Sequence, residues 1–301
     1  MRGLGTYILR GRLQAIAVTS VLTMLSLLLP FLAYILSGAP PSLVTLRQGP
    51  IAGLQVIIGS LVVIAVFAYL INMNPQISTV FALGIWIPLW LCANILRRTE
   101  SQGRLVLAAG ACGAGYILVM YLLVEDVPQW WKTWLDAWMT QALPADQGEQ
   151  YREVLTSVAP LMNAMMAAGL VISLISTLLI ARWWQALLCS PGGFRKEFHA
   201  LRLPRGLLIV VFVGLVMMVM GKSNPGSPAL DILIVLVFLY LFQGIAMIHR
   251  TIAARGLSQA WLVAMYALLF VVPQAILFLA CLGMVDSWLV KTAVTGRNDN
   301  S

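Results

Sequence analysis

The sequence predicts an all-α integral membrane protein of about eight to nine transmembrane segments with a Pro-broken first hairpin, and three observations carry that prediction. Hydrophobic side chains make up 60% of the 301 residues and charged ones only 10%, where a soluble domain carries roughly 25% charged residues. Apolar runs long enough to cross about 30 Å of hydrocarbon as helix recur along the whole chain. The basic residues gather in the short breaks between those runs. The same composition excludes a disordered chain, a collagen-like repeat and a disulfide scaffold.

The runs fall at 13–37, 51–71, 77–96, 105–124, 159–181, 206–221, 230–248 and 259–285. The first is too long for the core of a cleaved signal peptide, so the N-terminus is expected to be retained. Eight crossings place the basic residues almost evenly on the two faces, against the rule that Lys and Arg are held on the cytoplasmic side. A ninth crossing restores the asymmetry if the chain turns near Pro30 and Phe31–Leu46 returns as a short segment interrupted at Pro40-Pro41. Arg2, Arg10, Arg12, Arg47, Arg97, Arg98, Arg104, Arg182, Arg195, Lys196, Arg202, Arg205, Arg250 and Arg255 then share the inner face. Only Lys132, Arg152, Lys222, Lys291 and Arg297 lie outside. The acids separate as well: Glu100 and Glu197 fall inside, and the rest, Asp286 among them, outside. The net charge of +8 thus reads as membrane topology, with no nucleic-acid partner implied.

Residues 125–158 form an outer loop. Glu125-Asp126-Val127-Pro128 is an acidic cap followed by an early proline, which starts a helix. Trp130, Trp134 and Trp138 then repeat every four residues, the pattern of a helix lying at headgroup level. The stretch Pro144–Val158 is polar enough for a second short outer helix. On the inner side, the basic loop 182–205 carries Arg195, Lys196 and Arg202 beside Phe194, Phe198 and Leu201, an amphipathic helix for an anionic leaflet. Residues 286–301 form a polar tail.

Catalytic chemistry has no signature here. His199 and His249 are far apart, there is no HExxH, no CxxC and no Gly-rich phosphate loop, and the four cysteines are expected to be buried thiols. No enzyme activity, cofactor or metal is expected. Uncharged polar residues within the spans are the better candidates. Tyr240, Gln243, Gly244 and Met247 share one helical face, Gln274 follows Pro273, Asn163 sits near the outer end of its span, and Trp86 lies close to Pro88. Such groups either bond helices together or line a midplane pocket. The pairs Ala109/Gly113 and Ala111/Gly115 are small-xxx-small patterns that admit a close helix, from this chain or from another membrane subunit.

Three stretches carry a resemblance. Ala39-Pro40-Pro41 with Leu46-Arg47-Gln48-Gly49, Gly53 and Gly59 is the first. Ser190-Pro191-Gly192-Gly193-Phe194-Arg195-Lys196-Glu197-Phe198 is the second, and Gly283-Met284-Val285-Asp286-Ser287-Trp288 the third. Together they resemble the YybS-like family of predicted bacterial membrane proteins over most of the chain. That family is distantly similar to the S components of energy-coupling-factor vitamin transporters and to the MreD cell-shape proteins. The resemblance implies an S-component-like bundle in the bacterial inner (cytoplasmic) membrane with a cytoplasmic N-terminus. The S-component pattern Ala-x-x-x-Ala is represented on the first helix only by Ala15 and Thr19.

Two functions are compatible with these features. The first is binding or transport of a small solute, with Tyr240, Gln243, Gln274, Asn163 and Trp86 as pocket residues. The alternative is a non-transporting membrane scaffold that holds cell-envelope partners. The topology has a direct test: in a background without the four native cysteines, single cysteines at 47 and 196 resist a membrane-impermeant label in intact cells, whereas one at 132 reacts. Labelling at 47 or 196 would remove the ninth crossing.

Overall fold

Helices longer than a bilayer is thick must meet all their backbone hydrogen bonds internally, and the described residues of the chain are helical almost throughout. The computed structural model describes residues 2–26, 33–142, 154–189, 192–221 and 224–298. The turn expected near Pro30, most of Pro144–Val158, Ser190-Pro191 and Lys222 lie outside them. Five helices are long and apolar enough to cross a membrane: Pro50–Leu70, Ser78–Thr99, Gln102–Leu123, Val154–Cys189 and Pro228–Ala254. Arg12–Ser26, Gly206–Val219, Ala260–Val271 and Ala275–Leu289 are shorter apolar helices. By packing, the chain divides into two compact units, 1–109 with 172–202 and 110–171 with 203–301.

In the first unit, α1 (Arg2–Arg10) and α2 (Arg12–Ser26) are followed by α3 (Ala33–Gln48) and α4 (Pro50–Leu70). Ile8, Ala15, Leu43, Val44, Val56 and Trp184 form a shared buried core. The Gln48 amide donates to the Leu9 carbonyl at 3.2 Å, so α3 ends beside the start of the chain, as a return segment must. Its two prolines do not break it, contrary to the expected interruption: α3 runs as helix through Pro40 and Pro41. A proline in a helix leaves the carbonyl four residues earlier without its amide partner. For Pro41 that carbonyl belongs to Ser37, and the Trp86 indole N–H donates to it at 3.2 Å. Gly49, with φ +108, turns the chain into α4, whose Pro50 occupies the first turn where no amide partner is lost.

The next span is α5 (Gln76–Phe81), a π-helical turn over Ala82–Trp86, and α6 (Ile87–Thr99). Pro88 lacks the N–H that an α-helix would direct at residue 84, and the chain takes the wider turn just before it. α7 (Gln102–Leu123) follows. A 3-10 turn at Ala159–Leu161 leads into α9 (Met162–Cys189), and α10 (Gly193–His199) lies beyond. The basic helix, expected over Gly193–Arg205, ends at His199, and Arg202 lies past its end. Arg182 makes a bidentate pair with Glu197, at 2.6 and 2.8 Å, which fixes α10. Phe194 and Phe198 stack at 6.0 Å, while Arg195 and Lys196 are exposed.

The second unit contains α8 (Val127–Ala142), α11 (Gly206–Val219), α12 (Pro228–Ala254), α13 (Ala260–Val271) and α14 (Ala275–Asn298). The apolar block 259–285, expected as one crossing, is two helices separated at Val272–Gln274. Their direction follows from α12. A side chain at Gly244 would overlap the Leu279 carbonyl, and one at Gly283 the Tyr240 carbonyl, so the two backbones touch. Arg250 pairs with Asp286 at 2.6 Å. If α14 ran antiparallel to α12 through the Gly244–Gly283 contact, these two residues would lie about 13 Å apart along the axis; run parallel, they lie about 5 Å apart. α14 is therefore parallel to α12, and α13 carries the chain back. This corrects the expected placement of Asp286 and Arg250 on opposite faces. What was expected to be a polar tail from 286 onward is helical to Asn298.

Because Gly244 meets backbone rather than a side chain that can move aside, Gly244→Val is expected to lower stability in detergent by about 1–3 kcal/mol. Gly115→Val, where nothing lies within 4 Å, serves as the control, and thermal melts of the two variants side by side check the difference.

Candidate functional site

At the start of α12 the Ser227 hydroxyl accepts from the Leu230 N–H at 3.4 Å and caps the helix. Asp231, one residue further, is turned inward and is fully buried. Its Oδ2 lies 2.5 Å from the side-chain amide of Asn163 on α9 and 3.1 Å from the Tyr121 hydroxyl of α7. Tyr121 donates to the Gly226 carbonyl at 2.8 Å. Among the described residues, Asp231 Oδ1 and Asn163 Oδ1 have no hydrogen-bond partner. Among the described residues no Lys, Arg or His pairs with Asp231. A buried carboxyl left this way in an apolar helix is energetically conspicuous, since unpaired buried charge is strongly disfavoured.

Tyr240 and Gln243 are likewise fully buried, but around Gln243 the arrangement is different. Its amide oxygen accepts from the Leu203 N–H and the Ser287 hydroxyl, both at 3.0 Å, and its nitrogen donates to Asp286 Oδ2 at 3.0 Å. Arg250 donates to the other Asp286 oxygen, and Arg205 to the carbonyls of Ser287 and Trp288. Gln243 therefore joins α12, α14 and the segment before α11, and every polar atom of its amide faces protein.

The remaining candidates separate. Gln274 is exposed in the turn between α13 and α14, and Trp86 belongs to the first unit, where it serves the Ser37 carbonyl. One cleft of about 630 Å³ in the first unit is lined by Thr6, Leu9, Arg10, Arg47, Gln48, Leu188 and Cys189. Another of about 640 Å³ in the second lies between α11 and α14, with Arg205 and Trp288 at its rim. Neither includes Tyr240, Gln243, Gln274, Asn163 or Trp86. Among the described residues no group of three or more His, Cys, Asp or Glu could hold a metal ion.

The Trp helix and the small-residue stripes have clear placements. Asp126 accepts from the Gln129 N–H at 3.0 Å and caps α8. Trp130, Trp134 and Trp138 are exposed on one stripe of α8, while Trp131, Leu135 and Met139 are buried on the other. Gly113 packs against Val171 and Gly110 against Leu239, and Ala109 is buried. Ala111 is exposed and Gly115 has open space beside it, so this second stripe alone is free for a partner helix.

Asp231 and Tyr121 were not among the residues singled out by sequence. Asn163, which was, is the group that meets them. An acid in the first turn of an apolar span, with Tyr and Asn at the same-side ends of two neighbouring spans, is the signal that could have found the set.

The two glutamines should part company on substitution. Gln243→Leu leaves the Leu203 N–H without its acceptor and one Asp286 oxygen without its donor, each worth about 1–3 kcal/mol when buried, so a marked loss of thermal stability is expected. Gln274→Leu in its exposed turn should melt like the unaltered protein.

Neither the curated proteins nor the solved structures show a match to the chain. Residues 17–287 match the family described as Predicted membrane protein (DUF2232). That match spans the core segments of both units, including the Asp231 set and the Gln243 network, and the chain belongs to this family of membrane proteins.

Proposed function

We propose that the protein binds and transports a small solute across the bacterial inner membrane, and that its working site is the Asp231, Asn163 and Tyr121 set rather than the midplane glutamines. The single observation that carries this reading is Asp231: a carboxyl with no exposure and an unpartnered oxygen inside an apolar helix. Intramembrane acids mark solute and ion pathways because a purely structural position is served better by an apolar residue. No catalytic role is assigned to it.

The same reading includes a topology. The helices α2, α3, α4, α5–α6, α7, α9, α11, α12, α13 and α14 make ten crossings, with both termini cytoplasmic. Every Lys and Arg except Lys132, Arg152 and Lys222 then falls on the inner side, a sharper asymmetry than nine crossings allow. Asp231 lies toward the outer face, on the same side as Glu125, Asp126 and Asp136. That acidic rim raises the local concentration of cations at the entrance.

The scaffold reading is favoured by one specific observation, the open Ala111/Gly115 stripe on α7. It predicts that Ala111→Leu abolishes capture of partner proteins in mild detergent while Asp231→Asn does not.

The transport reading predicts the converse. Asp231→Asn preserves shape and should leave insertion and melting temperature nearly unchanged, yet cells carrying it should reproduce the metabolite changes and growth phenotype of cells lacking the gene. Cells with Asp231→Asn that are indistinguishable from wild type would sink the reading.

A further inference from the structure

We propose that Asp231 is a proton-binding site: at neutral pH its carboxyl carries a proton on Oδ2, held against the Asn163 amide oxygen, with the Tyr121 hydroxyl beside it donating to Gly226. This deepens the transport reading and rests on it for the proton's purpose, because it names the proton as the ion handled at that site.

The hydrogen-bond geometry points to a proton in three ways. The Asn163–Asp231 separation of 2.5 Å falls in the range of O–H···O bonds and is short for N–H···O. The two ends of an amide are interchangeable in assignment, so the contact is best met by a carboxylic O–H donating to the amide oxygen. Tyr121 has one proton and two oxygens within reach, Gly226 O at 2.8 Å and Asp231 Oδ2 at 3.1 Å. With its proton on the closer Gly226 carbonyl, Tyr121 has none to give Asp231, which leaves Oδ2 free to keep its own proton and point it at the Asn163 amide oxygen. Finally, the unpartnered Oδ1 is tolerable as the carbonyl oxygen of an acid and far less so as half of a carboxylate.

Among the described residues no Lys, Arg or His pairs with Asp231. α7 presents Tyr121 and α9 presents Asn163 to the carboxyl, and the Ser227 cap is neutral. α11 carries no ionisable side chain. On α13, Tyr266 is engaged with His249 at 2.9 Å, and on α14, Asp286 is held by Arg250. Release of the proton is balanced by a base from the outer solution: the O–H bond at Oδ2 breaks, hydroxide or water takes the proton, a carboxylate is left, and the reverse step reloads the acid.

Infrared difference spectroscopy on the full-length protein in nanodiscs tests this without knowledge of any solute. At neutral pH the unaltered protein should show a carboxylic-acid C=O band that is lost entirely in Asp231→Asn. The band should persist in Tyr121→Phe and shift to higher frequency in Asn163→Leu, where the O–H loses its acceptor. It should be the same in sodium and in choline buffers. If Asp231→Asn removes carboxylate bands and no carboxylic-acid band, the acid is ionised and the proposal is overturned. A band that appears only when sodium is removed would also overturn it, in favour of a sodium site. A band present in a protein whose Asp231→Asn variant retains full cellular function would keep the proton site and discard the transport reading, so the two can fail separately.

Discussion

Two glycines, Gly244 and Gly283, let the backbones of α12 and α14 touch, and the chemistry of that end of the second unit follows from the contact. In a bilayer, helices gain little from apolar association because lipid tails are as apolar as leucine, so close backbone approach and polar bonds between helices decide the packing. The contact sets the two helices parallel and brings Asp286 level with Gln243 and Arg250. It also places Ser287 where its hydroxyl reaches the same amide that holds Leu203. A buried arginine–aspartate pair is weak evidence of stability by itself, since desolvation offsets attraction. Here each partner has further hydrogen bonds around it, which is the condition under which such a pair is sustained.

The first unit obeys the same rule through different residues. Helix α3 tolerates two adjacent prolines because a tryptophan from the following span supplies the donor that Pro41 cannot. The π-helical turn that precedes Pro88 ends on Trp86, so the geometry that accommodates one proline also positions the side chain that compensates another. The hydroxyls of Thr19, Thr23 and Thr45 bond back to carbonyls one turn earlier, which lets these residues lie buried without outside partners. Ala15 and Thr19 are fully buried, so that stripe is used for packing inside the unit.

Helix positions and membrane character were legible in the sequence because both rest on local quantities: hydropathy over some twenty residues, capping residues such as Asp126, and four-residue periodicity as at Trp130, Trp134 and Trp138. Return of the chain at Arg47 was legible from charge alone. The division of 259–285 was not, because uninterrupted hydropathy hides a turn whose residues, Val272, Pro273 and Gln274, include only one polar side chain. The role of Gln243 was not legible either. Its face on α12 could be drawn from spacing, but whether that face meets a cavity or the Leu203 backbone depends on segments forty residues away in both directions. Asp231 was passed over because, at the end of an apolar run, an acid is ordinarily solvated.

Comparison of the two buried acids of the second unit shows why only one reads as a working group. Asp286 has an arginine on one oxygen and an amide on the other, and removing either member of the ion pair leaves the other charge stranded. Selection for stability alone accounts for it. Asp231 has two neutral neighbours, Asn163 and Tyr121, crowded onto one oxygen and, among the described residues, none on the other, an arrangement that the isosteric Asn would replace without stranding a charge. A helix that needed only to pack against α7 and α9 would be served as well by that neutral amide. An acid in such a position is explained by what the acid can do, and with no Lys, Arg or His paired to it among the described residues, what it can do is hold and release a proton.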